Sequence, residues 1–252
     1  MKKFITPVVT LCVLLNFMVL AQADDAIPQW QTDLKAKLTA TLSTATSGQL
    51  MVVNISETPL ANLVEIELST GEFLFSDKAG DFLFTGDMFA TTATGLRNLS
   101  AEKRQVKNAN IIAGISREDM IIFSPDVVKG SVTVFTDVDC TYCRKLHGDI
   151  DKLLELGVEV KYVAYPRGGE KAASYQKMIS VWCAKDRNQR LTQAKNGQNI
   201  PAASCDSPVL ELYELGNQIG ISGTPALVLA SGRVIPGYIE PQALAELLVT
   251  EK

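Results

Sequence analysis

Histidine is almost missing from this chain: of 252 residues only His147 carries an imidazole. A zinc site needs four Cys, His or carboxylate ligands at short spacing, and the cysteines outside one close pair lie too far along the chain to complete it. Runs of Lys or Arg are missing as well. The 24 basic residues are scattered among 28 acidic ones, for a net charge of −4, which leaves no electrostatic footprint for nucleic acid. The apolar stretch Val8 to Leu20 is too short for a comfortable membrane span. No internal repeat or low-complexity tract is present, so solenoids and disordered linkers are set aside. The length suits one or two domains with enough core to fold without staples.

What is present at the start is an export signal. Lys2 and Lys3 precede the apolar stretch, and Ala21-Gln22-Ala23 has the small-x-small form of a cleavage site, so a cut after Ala23 is expected. A retained anchor is the alternative, disfavoured by the length of the run. Cleavage removes Cys12 and leaves four of five cysteines, an even number suited to an oxidising compartment.

The stretch with chemistry in it is Ser131 to His147. The β-branched run Val132 to Phe135 leads into Cys140-Thr141-Tyr142-Cys143, and Leu146, Ile150, Leu153 and Leu154 then recur at helical spacing up to a capping Gly157. Val158 to Ala164 alternates as a strand does. The Cys-x-x-Cys therefore sits where a strand meets a helix N-terminus inside a β-α-β unit. Unpaired N–H groups and the macrodipole there favour a thiolate, the nucleophile of disulfide exchange. Cys140 is expected at the exposed end and Cys143 one turn in, placed to resolve a mixed disulfide. Arg144 adds positive charge, whereas Asp137 and Asp139 oppose it. Half a zinc site or a structural disulfide would read the same way, but the strand–motif–helix context is that of a redox pair. His147 lies one turn beyond Cys143 and is read as a solvated or supporting helix residue ahead of a proton-transfer role. The reading requires no metal and no other cofactor.

Around this core, residues 24–97 read as a small α+β unit. A helix carrying Trp30, Leu34 and Leu38 gives way to loop from Thr41 to Gly48, then to strands at Leu50–Ile55, Leu63–Leu68, Glu72–Phe75 and Asp81–Thr85. Phe73, Phe75, Phe82 and Phe84 are expected in its core, or in part at a dimer or substrate surface, and an edge strand could pair with a second subunit. Residues 98–117 form a charged, solvated linker helix capped by Ser100. In residues 118–252 the β-α-β unit is followed by a helix from Glu170 to Lys185 and a polar loop from Asp186 to Ser207. A helix from Pro208 to Ile219, strands at Ala226–Ala230 and Arg233–Ile235, and a last helix opened by Pro241 complete it. Four cysteines allow three pairings; the one joining Cys183 to Cys205, 22 residues apart, would close the insertion and leave the Cys140/Cys143 motif intact.

Beyond these patterns the chain resembles the DsbC/DsbG family of periplasmic thiol:disulfide interchange proteins, which have a thioredoxin fold. The matching residues are Val134-Phe135-Thr136-Asp137, Cys140 with Tyr142-Cys143, Lys145-Leu146-His147, Trp182-Cys183-Ala184-Lys185-Asp186 and Pro201-Ala202-Ala203-Ser204-Cys205. Ser222-Gly223-Thr224-Pro225-Ala226 and Pro236-Gly237-Tyr238 complete the set. The resemblance implies an N-terminal dimerisation domain, a linker helix and a thioredoxin-like catalytic domain with a helical insertion, joined as a V-shaped homodimer. It implies that Cys140 attacks, Cys143 resolves and Cys183–Cys205 is structural. Thr224, Pro225, Thr141 and Tyr142 would meet substrate, with a cis Thr224–Pro225 bond facing the cysteines. It departs at Thr141, where isomerases carry glycine and the chaperone-like relative proline, and at Arg144, where histidine is common.

The expected function is disulfide isomerisation or reduction of misoxidised secreted proteins, with a DsbD-like membrane thiol reductant as partner. A dimeric holdase for unfolded chains is the alternative of a different class, and a dedicated oxidase a third. Refolding of a disulfide-free client by a protein lacking both active cysteines separates the holdase from the enzyme.

Overall fold

The computed structural model describes residues 27–251, so the leader and its cleavage site lie outside the described residues. Leu34, Leu38 and Leu42 repeat every fourth residue in α1 (Gln29–Ala45) and are buried together. That stripe rests on an antiparallel sheet of order β1-β2-β3-β4, formed by β1 (Val52–Glu57), β2 (Leu63–Leu68), β3 (Phe73–Asp77) and β4 (Leu83–Thr85). Val52, Ile55, Val64, Ile66 and Leu68 fill the space between.

The loop expected from Thr41 is helical as far as Ala45. Leu42 extends the buried stripe, and the Thr41 and Thr44 hydroxyls bond back to the carbonyls of Lys37 and Ala40 instead of breaking the helix. Of the four phenylalanines expected in the core, Phe73 and Phe75 are buried, but Phe82 and Phe84 are 66% and 52% exposed. The reason is topological: Phe84 is in β4, the edge strand of the sheet, Phe82 lies just before it, and all three β4 residues are exposed. A further hairpin, β5 (Phe89–Thr92) with β6 (Gly95–Asn98), was not anticipated.

The connecting helix α2 (Leu99–Gly114) is capped by Asn98, whose side chain accepts from the Ala101 N–H at 2.8 Å. Ser100, expected in that role, is instead buried and accepts from the Met88 N–H. Nor is the helix simply solvated. Lys103 pairs with Glu65 and Lys107 with Glu67, both lysines lying over the Phe73 ring, and Arg104 forks onto Asp87 at 2.8 and 3.0 Å. On its other side Asn108 donates to the Gly232 carbonyl. Gly232 has φ +81°, and a Cβ there would lie 1.8 Å from the Gln105 carbonyl oxygen, so only glycine lets the helix sit this close.

The remaining residues build a five-stranded sheet of order β11-β10-β8-β9-β7. Its strands are β7 (Ile121–Phe123), β8 (Gly130–Thr136), β9 (Val158–Ala164), β10 (Ala226–Val228) and β11 (Val234–Pro236). β8 and β9 are parallel and the other neighbours antiparallel. Val132 to Thr136 are buried without alternation, as a strand covered on both faces must be. The covering helices are α3 (Thr141–Gly148), α4 (Ile150–Glu155), α5 (Tyr175–Trp182), α6 (Arg187–Lys195), α7 (Val209–Ile219) and α8 (Pro241–Thr250).

Two expectations fail here. The helix after the cysteines breaks at Asp149, where the chain tightens to an i−3 bond from the Asp149 N–H to the Leu146 carbonyl, although its apolar spacing runs on unbroken. The polar stretch from Asp186 is no plain loop. It contains α6, capped by the Asp186 carboxylate on the Gln189 N–H and anchored by the buried Leu191.

Candidate active site

β8 ends at Thr136, and Asp137-Val138-Asp139 turns the chain so that Cys140 becomes the N-cap of α3. Asp137 holds that turn: it is buried and accepts from the Asp139 N–H at 2.9 Å and from the Arg167 backbone N–H at 2.9 Å. Its charge faces the Arg167 guanidinium at 3.4 Å. Asp139 is matched by Lys177 at 2.9 Å and by Arg144 at 3.2 Å, and Arg144 also donates to the Val138 carbonyl. The two aspartates therefore do not oppose the thiolate as bare charges. They are tied down by three cations.

Across from Cys140, the Thr224–Pro225 peptide is cis, and the Cys140 thiol donates to the Thr224 carbonyl at 3.1 Å. That loop covers the sulfur, so Cys140 is only 4% exposed and not the freely exposed residue the motif suggests, while Cys143 is at 0%. Thr141 and Tyr142 are exposed beside it, Thr224 is half-buried and Pro225 is buried. The Thr224 hydroxyl is buried with no hydrogen-bond partner among the described residues, and it lies where it favours a Cys140 thiolate.

The electrostatics separate the cysteines. The Cys143 thiol donates to Cys140, and with the Thr224 hydroxyl, the Cys143 backbone N–H and the Arg167 charge it outweighs burial and holds the Cys140 pKa down to about 5. Burial pushes Cys143 far up, and its hydrogen bond to Cys140 adds to the rise. The two shifts are opposed, favouring the thiolate at Cys140 and the protonated thiol at Cys143.

His147 is not solvated. It is buried, with Nδ1 3.1 Å from the Tyr162 hydroxyl and Nε2 2.9 Å from the Thr192 hydroxyl, and burial holds its pKa down to about 4. Cys183 at the end of α5 is bonded to Cys205, while Cys140 and Cys143 are free thiols. Sequence reasoning missed Arg167, read only as part of a turn, and Lys195, placed in a loop. Only the run Tyr165-Pro166-Arg167 directly after β9 hinted at the first.

Comparison with known proteins bears on the same residues. Residues 117–251 match the thioredoxin-like domain model and residues 20–101 match the disulfide bond isomerase protein N-terminal domain model. The thiol:disulfide interchange protein DsbC of Escherichia coli K12 is 33% identical over 92% of this chain and 90% of its own. This chain belongs to the DsbC family. DsbC of Salmonella typhimurium is 34% identical over 77% of this chain and 79% of its own. Among solved structures, the disulfide interchange protein from Neisseria gonorrhoeae aligns with 54% of this chain and 99% of its own at 28% identity, with a TM-score of 0.48. As a DsbC-family member the chain is a periplasmic thiol–disulfide oxidoreductase of the disulfide isomerase class, with an α+β N-terminal domain ahead of a thioredoxin-like one. Membership supports a homodimer that handles disulfide-bearing substrates. Among the described residues no helix is long and apolar enough to cross a membrane.

Proposed function

We propose that Cys140 is the attacking thiolate and Cys143 the resolving thiol of an isomerase and reductase acting on misoxidised secreted proteins. The observation that carries this is the pair of opposed shifts: Cys140 held down to about 5 beneath the cis-proline loop, and Cys143 pushed up by burial. Attack by the Cys140 thiolate on a substrate disulfide forms a mixed disulfide and expels one substrate thiolate. A substrate thiol then displaces Cys140, which is isomerisation, or Cys143 does, which leaves the substrate reduced and Cys140–Cys143 oxidised.

Ionisation of Cys140 removes the proton it donates to the Thr224 carbonyl, freeing that carbonyl for an N–H of an extended substrate strand. Thr224, Pro225, Thr141 and Tyr142 surround the sulfur as the substrate-binding surface. Cys183–Cys205 is structural, closing the segment that carries α6.

The mature chain begins at Asp24. Residues 24–97 form the dimerisation domain, 98–117 the linker and 118–252 the catalytic domain. The uncovered β4, with Phe82 and Phe84 exposed, is the edge on which two copies pair. A DsbD-like membrane thiol reductant returns Cys140–Cys143 to the dithiol. Insulin reduction and refolding of a scrambled disulfide substrate test the assignment: Cys140→Ala abolishes both, and retention of parent activity by that variant refutes it.

A further inference from the structure

Beneath the cysteines lies a lysine that fold and family leave unexplained. Lys195, at the end of α6, is 3% exposed, and among the described residues it has no ion pair. Its ammonium donates to the Thr136 hydroxyl at 2.8 Å and to the Asp137 carbonyl at 3.4 Å, and lies 5.7 Å over the Tyr162 ring. α6 otherwise buries only Leu191 and Ala194 on this side, and an apolar side chain would fill the place without the cost of desolvating a charge. Thr136, which accepts from Lys195, ends the strand that leads into the cysteine turn, and its hydroxyl and the Lys195 charge both act on Cys143 in the direction of the thiolate. A hydroxyl has one proton to give and two lone pairs to receive with, so Thr136 can serve both partners at once.

We infer that Lys195 is a positioning residue for the resolving step, acting through Thr136 to make the buried Cys143 thiolate accessible when Cys140 is tied up in a mixed disulfide. This rests on the reading of Cys143 as the resolving thiol. In the mixed disulfide the Cys140 sulfur is no longer an anion able to hold the Cys143 proton, so something else must offset burial of the second thiolate. Cys143 then gives its proton to water and attacks the Cys140 sulfur. The Cys140–Cys143 bond forms, the bond to substrate breaks, and the departing substrate thiolate takes up a proton through water.

The groups facing Lys195 are Cys143, Arg144 and His147 from α3, Cys140 at its start, Thr136 at the end of β8, Asp137 just after it and Tyr162 from β9. Burial brings its pKa down to about 8 against the raising influence of Cys143, Asp137 and Cys140, so it is still charged at pH 7.

An aryl disulfide, dithiobis(2-nitrobenzoate), separates the two steps in a stopped-flow trace of the full-length reduced protein. A first release of thionitrobenzoate reports attack by Cys140 and a second reports closure by Cys143. In Lys195→Met the second phase should slow about tenfold at pH 7 and its pH midpoint should move up by about one unit, with the first phase within about twofold of the parent. Thr136→Val, which keeps the volume and removes the hydroxyl, should slow the same phase, and it carries the test if Lys195→Met does not fold. An unchanged second phase in the folded variants, or equal slowing of both phases, overturns the role of Lys195 alone. A parent trace with no second phase overturns the assignment of Cys143 beneath it.

Discussion

Cys183→Ala with Cys205→Ala should cost stability and leave the thiol chemistry largely intact. The bond spans 22 residues and brings Cα atoms to 5.6 Å across a segment containing α6 and a polar loop with Gly197 and Pro201. On the chain-entropy relation, closing a loop of that length removes about 11 cal/mol/K from the unfolded ensemble, or about 3 kcal/mol at 25 °C. For a unit of this size that is roughly a 10 °C fall in melting temperature. The assay is urea unfolding of the oxidised parent and the double variant, read by fluorescence of Trp182, whose indole N–H donates to the Asp119 carbonyl beside the loop. The midpoint should fall while the slope stays close to the parent's or rises, because the unfolded chain without its cross-link exposes more surface. A loss below about 1 kcal/mol would refute the entropic account. Loss of insulin reduction in the still-folded variant would show that this pair takes part in the chemistry.

Cys143→Ala should accumulate mixed disulfides through Cys140, visible by non-reducing electrophoresis and mass spectrometry; their absence would remove Cys143 as the escape route. A chain beginning at Glu118 should sediment as a monomer, reduce insulin and isomerise poorly. A truncated chain that isomerises as well as the parent, or a full-length monomer, would contradict dimerisation through residues 24–97. Leu38→Ala in α1, where Leu38 is 1% exposed, should destabilise the N-terminal unit by about 2–5 kcal/mol without changing Cys140 reactivity. A drop in the rate of Cys140 alkylation would show that the two units are coupled more tightly than their contacts indicate.

Period and punctuation made much of this legible. Leu63–Leu68 and Val158–Ala164 are strands with the expected ends, because each is a β-branched or alternating run between turn residues. Gly157 caps as expected at φ +86°. What escaped has physical reasons. α6 is mostly polar, with Arg187, Gln189, Arg190 and Gln193 among its nine residues and too few apolar ones to register a helical period, so its existence depends on the Asp186 cap and on burial of Leu191. The break at Asp149 is hidden because Leu146, Ile150 and Leu153 keep helical spacing across it. Phe82 and Phe84 look like core residues until the sheet order puts β4 on the edge. Within the site, the cysteine pair was visible as a motif, but Arg167 and Lys195 reach it from 24 and 52 residues beyond Cys143, through contacts no local pattern encodes.

The central claim is that Cys140 is a standing thiolate, and the pH dependence of its alkylation tests it most directly. The folded pKa lies below that of a free thiol, so the contribution of the anion is complete above about pH 9 and is lost as pH falls through about 5. Reduced full-length protein treated with iodoacetamide at a series of pH values, with the modified residue located by mass spectrometry, should show a midpoint near 5 on Cys140 alone. A midpoint in the ordinary thiol range near 8–9, or modification of Cys143 in preference to Cys140, would contradict the account.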